Sequence, residues 1–174
     1  RYTLHLIGKS LDAQYERRLR DAIAGLRRDR VVFEGQIDHE DVPAYLERTH
    51  VFVSASLMEI QSLVIIEALA SGTPVVGLSN ETIDELVDDR VGLRLPKDAS
   101  PLEFARAVEM VCSQSRTAYA EMCAEARARV CHLDWSNIMA ATIVGYKSLA
   151  LPAQISLGDA RGSLARSISS LPDA

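Results

Sequence analysis

Two carboxylates eight residues apart, Glu59 and Glu67, are the side chains of this sequence best suited to chemistry. Glu67 stands inside an apolar helical run, with Leu63-Val64-Ile65-Ile66 before it and Ala68-Leu69-Ala70 after it. Taking a carboxylate out of water is costly unless it gains a partner or faces a cleft. A carboxylate accepts two hydrogen bonds at once, which matches two adjacent hydroxyls of a sugar. An equally open reading is that Glu67 pairs with a Lys or Arg, or caps a loop amide. Glu59 lies in a loop at the end of a strand-like run, a place where binding residues concentrate; a solvated loop acid is the alternative. Gln61, polar in the same loop, can orient a substrate hydroxyl or simply face water.

The elements that must hold these residues alternate between strand and helix patterns. Residues 3–7 read as a strand ending at Gly8, residues 11–28 as a helix, and 31–34 as a second strand closed by Gly35. His39 to Arg48 reads as a short helix with Asp38 as its N-cap. Residues 51–53 form a third strand, followed by a loop over 54–61. Ser62 is placed to cap the next helix, which runs to Ser71 and breaks at Gly72. A capping box would need Glu or Gln three residues after Ser62, but Ile65 stands there. The helix mouth is therefore open to an exogenous anion, favoured by free amides and the helix dipole. Residues 74–78 read as a fourth strand with Pro first, 82–87 as a short helix, and 91–95 as a fifth strand. From residue 100 to about 149 the pattern is helical, with breaks near 113–115 and 132–134 that give three helices.

This order predicts an α/β fold, a Rossmann-like parallel sheet with helices on both faces and an all-helical C-terminal region. Ligands of such sheets bind at the carboxyl ends of the strands. Three loops leave those ends: one around Gly8-Lys9-Ser10, one around Gly35-Gln36-Ile37, and residues 54–62. Residues 1–150 read as one domain and 151–174, rich in Ser, Ala, Gly and Pro, as a tail or linker.

Composition bounds the classes. The 174 residues are 48% hydrophobic, enough for one globular domain, and no apolar run approaches the ~20 residues of a membrane span. The chain opens on Arg1-Tyr2 in a strand-like run, without Met or leader, which reads as an excised fragment. The net charge of −5 argues against nucleic-acid binding. Eight Lys/Arg against four Asp/Glu in residues 1–30 are offset by nine against eighteen in residues 31–150. The basic stretch over residues 16–30 reads as the solvated face of a helix whose Leu19, Ala22, Ile23 and Leu26 form a core-facing stripe. Contact with a membrane surface or an anionic partner is the alternative. Cys112, Cys123 and Cys131 match no metal spacing and read as small buried or half-buried residues in a reducing cytoplasm. His5 reads as a satisfied core or face residue of a strand. His39, His50 and His132 have no acid or Cys at metal or triad spacing, and no GxGxxG, Walker or GxSxG motif is present.

With its two glutamates followed by ALASGTPVV, the chain resembles the retaining GT-B glycosyltransferases with an E-x7-E signature. The surroundings agree: LHLIGKS, VVFEGQIDHEDVPAYLERTHVFVSAS and ETIDELVDDRVGLRLP, then HLDWSNIMAATIVGYKSL, which looks like the family's terminal helix after Trp135. The likeness runs from residue 1 to about 149. It implies the C-terminal, donor-binding domain of such an enzyme, acting on a UDP- or GDP-linked sugar without a cofactor or divalent metal. By resemblance, Glu67 would hold the ribose hydroxyls and Glu59, the catalytic candidate, the hydroxyls of the transferred sugar. The backbone of Ile60, Gln61, Ser62 and Leu63 would reach the sugar and diphosphate. The loop after Gly35, including Ile37, would hold the base through main chain.

The family often writes the signature loop as E-G-F-G-L. Here it reads Glu59-Ile60-Gln61-Ser62-Leu63, without either glycine. A Gln at the middle position also occurs in family members that glycosylate lipids. The resemblance further implies a first strand and helix, with cationic residues that clamp the diphosphate, and an N-terminal acceptor domain, all ahead of residue 1. The expectation is a hexosyltransferase domain that is inactive alone. It belongs to a cytoplasmic enzyme, with peripheral contact at the inner membrane face as a further expectation, and the acceptor is a glycan, a lipid or a small molecule. A non-catalytic nucleotide-binding or scaffolding domain of the same fold, and a nucleotide-sugar epimerase, are the alternatives.

Overall fold

The structure is a computed structural model that describes residues 2–26 and 30–149. Its first unit, Arg1–Val130, carries five short strands and six helices among the described residues. The strands are β1 (Leu4–Ile7), β2 (Val31–Gly35), β3 (Phe52–Ser54), β4 (Val75–Leu78) and β5 (Gly92–Leu95). The helices are α1 (Ala13–Ala22), α2 (Val42–Glu47, entered through a 3-10 turn at His39–Asp41), α3 (Leu63–Ala70), α4 (Glu81–Leu86), α5 (Pro101–Cys112) and α6 (Arg116–Val130). The second unit begins at Cys131 and holds α7 (Trp135–Leu149). The expected tail over residues 151–174 lies outside the described residues.

All strand pairs are parallel, as the alternating pattern requires. The hydrogen-bonded ladder, however, falls into two pieces, β1-β2 and β3-β4-β5. β1 pairs Leu4 with Val31 through Leu6 with Phe33, then slips so that Ile7 meets Gly35. In the larger piece β4 is central. Its Val75-Val76-Gly77-Leu78 is buried throughout, with Phe52 opposite Val75 on one side and Gly92 opposite Val75 on the other.

The core forms on both faces of β4. Val76 packs with Ala107 and Val111 of α5, and Val53, Leu93, Phe104, Tyr119 and Met122 pack against that cluster. On the opposite face Gly77 lies under Ile83, whose Cδ1 would stand 2.5 Å from any Cβ placed there. Ile65, Leu69, Val75 and Ile83 have no exposed surface. Burying each such side chain contributes about 1.5–3 kcal/mol.

Helix ends follow local chemistry. Asp12 Oδ1 caps α1 by accepting from Gln14 N and Tyr15 N at 2.8 and 3.1 Å. Ser100 and Glu103 form a capping box on α5, and those hydrogen bonds from Ser100 hold the Glu103 carboxyl below its usual range. The predicted helix over 11–28 is shorter than expected. Regular α1 ends at Ala22, and Ile23 to Leu26 form turns closed by Ala24 N to Asp21 O and Leu26 N to Ile23 O, with Gly25 weakening any helical continuation. Asp38 and Ser62 stand at N-terminal positions, but neither side chain makes the expected cap hydrogen bond. The three predicted helices beyond residue 100 form with breaks where the sequence places them. Gly72 ends α3 at φ +76°, and the Arg127 guanidinium from α6 fills the space a side chain would need, donating to Ser71 O at 3.0 Å.

Candidate functional site

β3 ends at Ser54, and the following loop carries Glu59, Ile60 and Gln61 to the mouth of α3. The backbone of Ile60 and Ser62 keeps negative φ, since positive φ occurs only at glycines among the described residues. Ile60 and Leu63 project outward, 87% and 68% exposed, and Gln61 is exposed. Ser62 is buried at the start of α3. Its amide donates to Thr82 Oγ1 at 2.9 Å, and its carbonyl accepts from Ile66 N at 3.3 Å. With the Ser62 hydroxyl not used as a cap, no side chain occupies the first amides of α3.

Glu67 lies about a turn and a half into α3. It is half-buried between the fully buried Ile65 and Ala68. Its carboxylate makes no ion pair or hydrogen bond with any described residue, and the same holds for the half-buried Glu59. Of the two open readings of Glu67, pairing with a cation or a loop amide is not seen among the described residues.

The second group of expected residues sits elsewhere. Gly35 closes β2 at φ +74°, and its carbonyl accepts from Gly8 N at 2.8 Å, which brings the β1 and β2 loops together. A cavity of about 610 Å³ opens there, lined among others by Gly8, Lys9, Tyr15, Arg20, Gly35 and Gln36. Ile37 is half-buried just beyond it. Neither Glu59, Glu67 nor residues 60–63 line this cavity. The structure thus gathers Glu59 to Leu63 on one loop and Gly35 with Gln36 on another, both at carboxyl strand ends.

The cavity wall carries charged side chains, among them Glu16, Arg20 and Glu34. Arg20 lies 4.0 Å over the Phe33 ring and pairs with Glu16 at 2.6 Å. The Arg20 guanidinium, then the Ser10 hydroxyl, hold the Glu16 carboxyl below its usual range. His5 Nδ1 lies 2.7 Å from Glu34 Oε1 across the β1–β2 pair. The i, i+4 spacing of Glu16 and Arg20 was a readable signal; the His5–Glu34 contact depends on strand register and had none. Among the described residues no three His, Cys, Asp or Glu side chains are grouped to hold a metal ion.

Also missed were Asn80 and Thr82. Asn80 Oδ1 accepts from Ile83 N at 2.9 Å, capping α4, and its Nδ2 donates to Ser56 O at 2.9 Å. An Asn before a helical run is a cap signal, but its reach to Ser56 is tertiary.

Comparison with known proteins gives this geometry a setting. The chain is 35% identical over 81 residues to the alpha-monoglucosyldiacylglycerol synthase of Streptococcus pneumoniae, covering 46% of this chain and 18% of that protein. The solved sucrose-phosphate synthase of Thermosynechococcus elongatus is 30% identical with a TM-score of 0.73, over 84% of this chain and 38% of that one. The structure of Anabaena HepE in complex with UDP and glucose is 25% identical with a TM-score of 0.69, over 83% of this chain and 40% of that one. The chain thus spans less than half of each relative, and the shared portion has the mixed α/β architecture of GT-B proteins with parallel strands flanked by helices. Residues 1–114 match the profile of a single protein family, and the chain belongs to it: the glycosyl transferases group 1.

Proposed function

We propose that this chain is the donor-binding part of a glycosyltransferase that moves a sugar from a nucleoside diphosphate to an acceptor, retaining the anomeric configuration and using no metal. The observation that carries it is Glu67. A half-buried carboxylate without a partner among the described residues sits in an apolar helix whose N-cap side chain makes no cap hydrogen bond. Retaining such a charge is costly unless a ligand hydrogen-bonds to it. In this reading Glu67 accepts from the ribose hydroxyls and Glu59 from hydroxyls of the transferred sugar. The amides of Ile60, Gln61 and Leu63 at the α3 mouth take the diphosphate and stabilise its charge as it departs, while the Ser62 amide is held by Thr82. The loop from Gly35 to Ile37 takes the base.

The split ladder supports the same reading. A parallel strand lying between β1 and β3, and ahead of β1 in the chain, would join the two pieces. The sheet would then run outward from that strand through β1 to β2, and return to its other side through β3, β4 and β5. This is the order of a doubly wound sheet, in which ligands sit outside the carboxyl ends of the strands where the order reverses. The loop bearing Glu59 leaves β3 at that point. The completing strand, its helix and an acceptor-binding domain would belong to the rest of the enzyme. That HepE was solved with UDP and glucose, and that another relative is a sucrose-phosphate synthase, supports a nucleotide sugar as ligand.

Titration calorimetry with UDP, GDP, UDP-glucose and GDP-mannose tests the proposal. Heat with at least one of them, lost in Glu67→Ala, is expected. If neither this chain nor a longer polypeptide carrying the completing strand binds any of the four, the donor-binding reading fails. Sugar transfer by the 174-residue chain alone would overturn its dependence on a second domain.

A further inference from the structure

The loop that presents Glu59 is fastened at both ends to one turn of the chain. At its start, Ser56 O accepts from Asn80 Nδ2 at 2.9 Å. At its end, Ser62 N donates to Thr82 Oγ1 at 2.9 Å. Asn80 and Thr82 flank the first residue of α4, 1% and 2% exposed, and Ser62 is 7% exposed. Between the two fastenings the loop has little else. Ser56 Oγ reaches Met58 O at 3.4 Å, while Leu57, Met58 and Ile60 are 52%, 85% and 87% exposed. An arch with solvent-exposed side chains and few internal bonds holds one shape only if its feet are fixed. The bond at Ser62 is buried and the one at Ser56 partly buried, and a partner lost there leaves a polar group unsatisfied.

Asn80 is suited to a double task. Its Oδ1 caps α4 by accepting from Ile83 N at 2.9 Å, so the side chain is oriented by the helix it begins. That orientation aims Nδ2 at the loop. Thr82 presents its hydroxyl from the first turn of α4, and Ile83 beside it is fully buried, so the turn cannot swing without disturbing the core under β4.

We propose that Asn80 and Thr82 are positioning residues that set the place of the Glu59 loop and of the α3 mouth. The inference rests on the donor-binding reading for its consequence, but the fastening itself can be measured without a ligand. The β4–α4 turn, twenty residues away in sequence, thereby tunes a loop it does not belong to.

Two variants separate fastening from folding. Asn80→Asp keeps an oxygen to cap α4 and removes the donor to Ser56. Thr82→Val keeps shape and removes the acceptor for Ser62, whereas Thr82→Ser keeps the hydroxyl. Endoproteinase Glu-C, which cuts after Glu, reads the loop at Glu59 in the full 174-residue chain. Asn80→Asp and Thr82→Val are expected to raise the cleavage rate after Glu59 by about fivefold or more, and by more than at the other Glu sites, although each also lowers the thermal midpoint. Thr82→Ser should cut at the parental rate. Unchanged cleavage after Glu59 in both variants overturns the proposal. So does cleavage that rises equally at all other Glu sites, or a Thr82→Ser chain that behaves as Thr82→Val.

The ligand readout then checks the consequence. Whichever of UDP-glucose and GDP-mannose the parent binds should lose affinity about fivefold or more in both variants. In Asn80→Asp, which frees the Ser56 end of the loop, the matching sugar-free nucleotide loses less, because Glu59 is assigned to the sugar, whereas Thr82→Val, which frees the α3 mouth, weakens both. Equal losses for both ligands in Asn80→Asp would reduce Asn80 to a general support of the fold and overturn its positioning role. A parent chain that binds neither sinks the donor-binding reading, and Glu-C cleavage then still decides whether the loop is fastened.

Discussion

At the scale of single residues, Glu67 is the decisive side chain because none of the described residues satisfies it. Replacing it with Gln removes a charge but breaks no ion pair with a described residue. Glu67→Gln is therefore expected to leave the ligand-free protein at least as stable as the parent. The same change should weaken nucleotide-sugar binding about tenfold or more, since hydrogen bonds to a charged group contribute about 1.5–3 kcal/mol. Chemical denaturation and calorimetry on one preparation check both halves. A stability loss of several kcal/mol, with unchanged affinity, would mean that Glu67 serves the fold. The spacing of Glu59 and Glu67, and the apolar setting of the second, were legible because both are local properties of the chain. Asn80 and Thr82 were not, because their partners Ser56 and Ser62 lie twenty or more residues away and meet them only once β3 and β4 pair.

At the scale of elements, the helices and strands fall close to where the sequence puts them, because period, caps and breakers act within a few residues. What the sequence withholds is how helices are tied to loops. Arg129 of α6 donates Nη1 to Leu86 O at 2.9 Å and Nη2 to Asp88 Oδ2 at 2.7 Å, fixing the turn between α4 and β5. Burial alone would raise the Asp88 pKa, but the hydrogen bonds from Arg129 and Arg90 outweigh it and hold the carboxyl below its usual range. A carboxyl depressed in the folded state stabilises the fold above its unfolded pKa, near 4, and loses that contribution as pH falls through the folded value. Arg129→Ala is expected to cost about 1–2 kcal/mol at pH 7, the ion-pair share being small because Asp88 is well exposed. The gap between parent and variant should narrow below about pH 4, as Asp88 takes up its proton. Urea unfolding at pH 7 and pH 3 reads the difference; a gap that widens on acidification contradicts the assignment. Tyr119 makes a comparable tie, donating to His50 O at 2.8 Å from α6 to the turn before β3, and burial together with Cys123 raises its phenol pKa.

At the scale of the whole molecule, alternating strands and helices fixed the parallel α/β class, but alternation says nothing about the order in which strands lie side by side. The break between β1 and β3 is thus a property only the folded chain displays. It leaves two very different strands. β4 is buried on every residue and bonded on both sides. β1 pairs only with β2 among the described strands, and its Leu4 and Ile7 are 42% and 46% exposed. Apolar parallel strands are stable when both faces and both edges are covered. Amide hydrogen exchange should therefore divide the 174-residue chain. Amides of β4 are expected to exchange through global unfolding, and those of β1 and β2 through local opening at rates faster by about a hundredfold or more. In a longer polypeptide carrying the completing strand, exchange in β1 and β3 should slow together, because that strand bonds to both edges at once. Slowing in β1 without β3 would place the extra strand outside the gap. Equal protection of β1 and β4 in the 174-residue chain would show that the smaller sheet is already complete, and would remove the structural ground for locating the donor crevice beside the β3 loop.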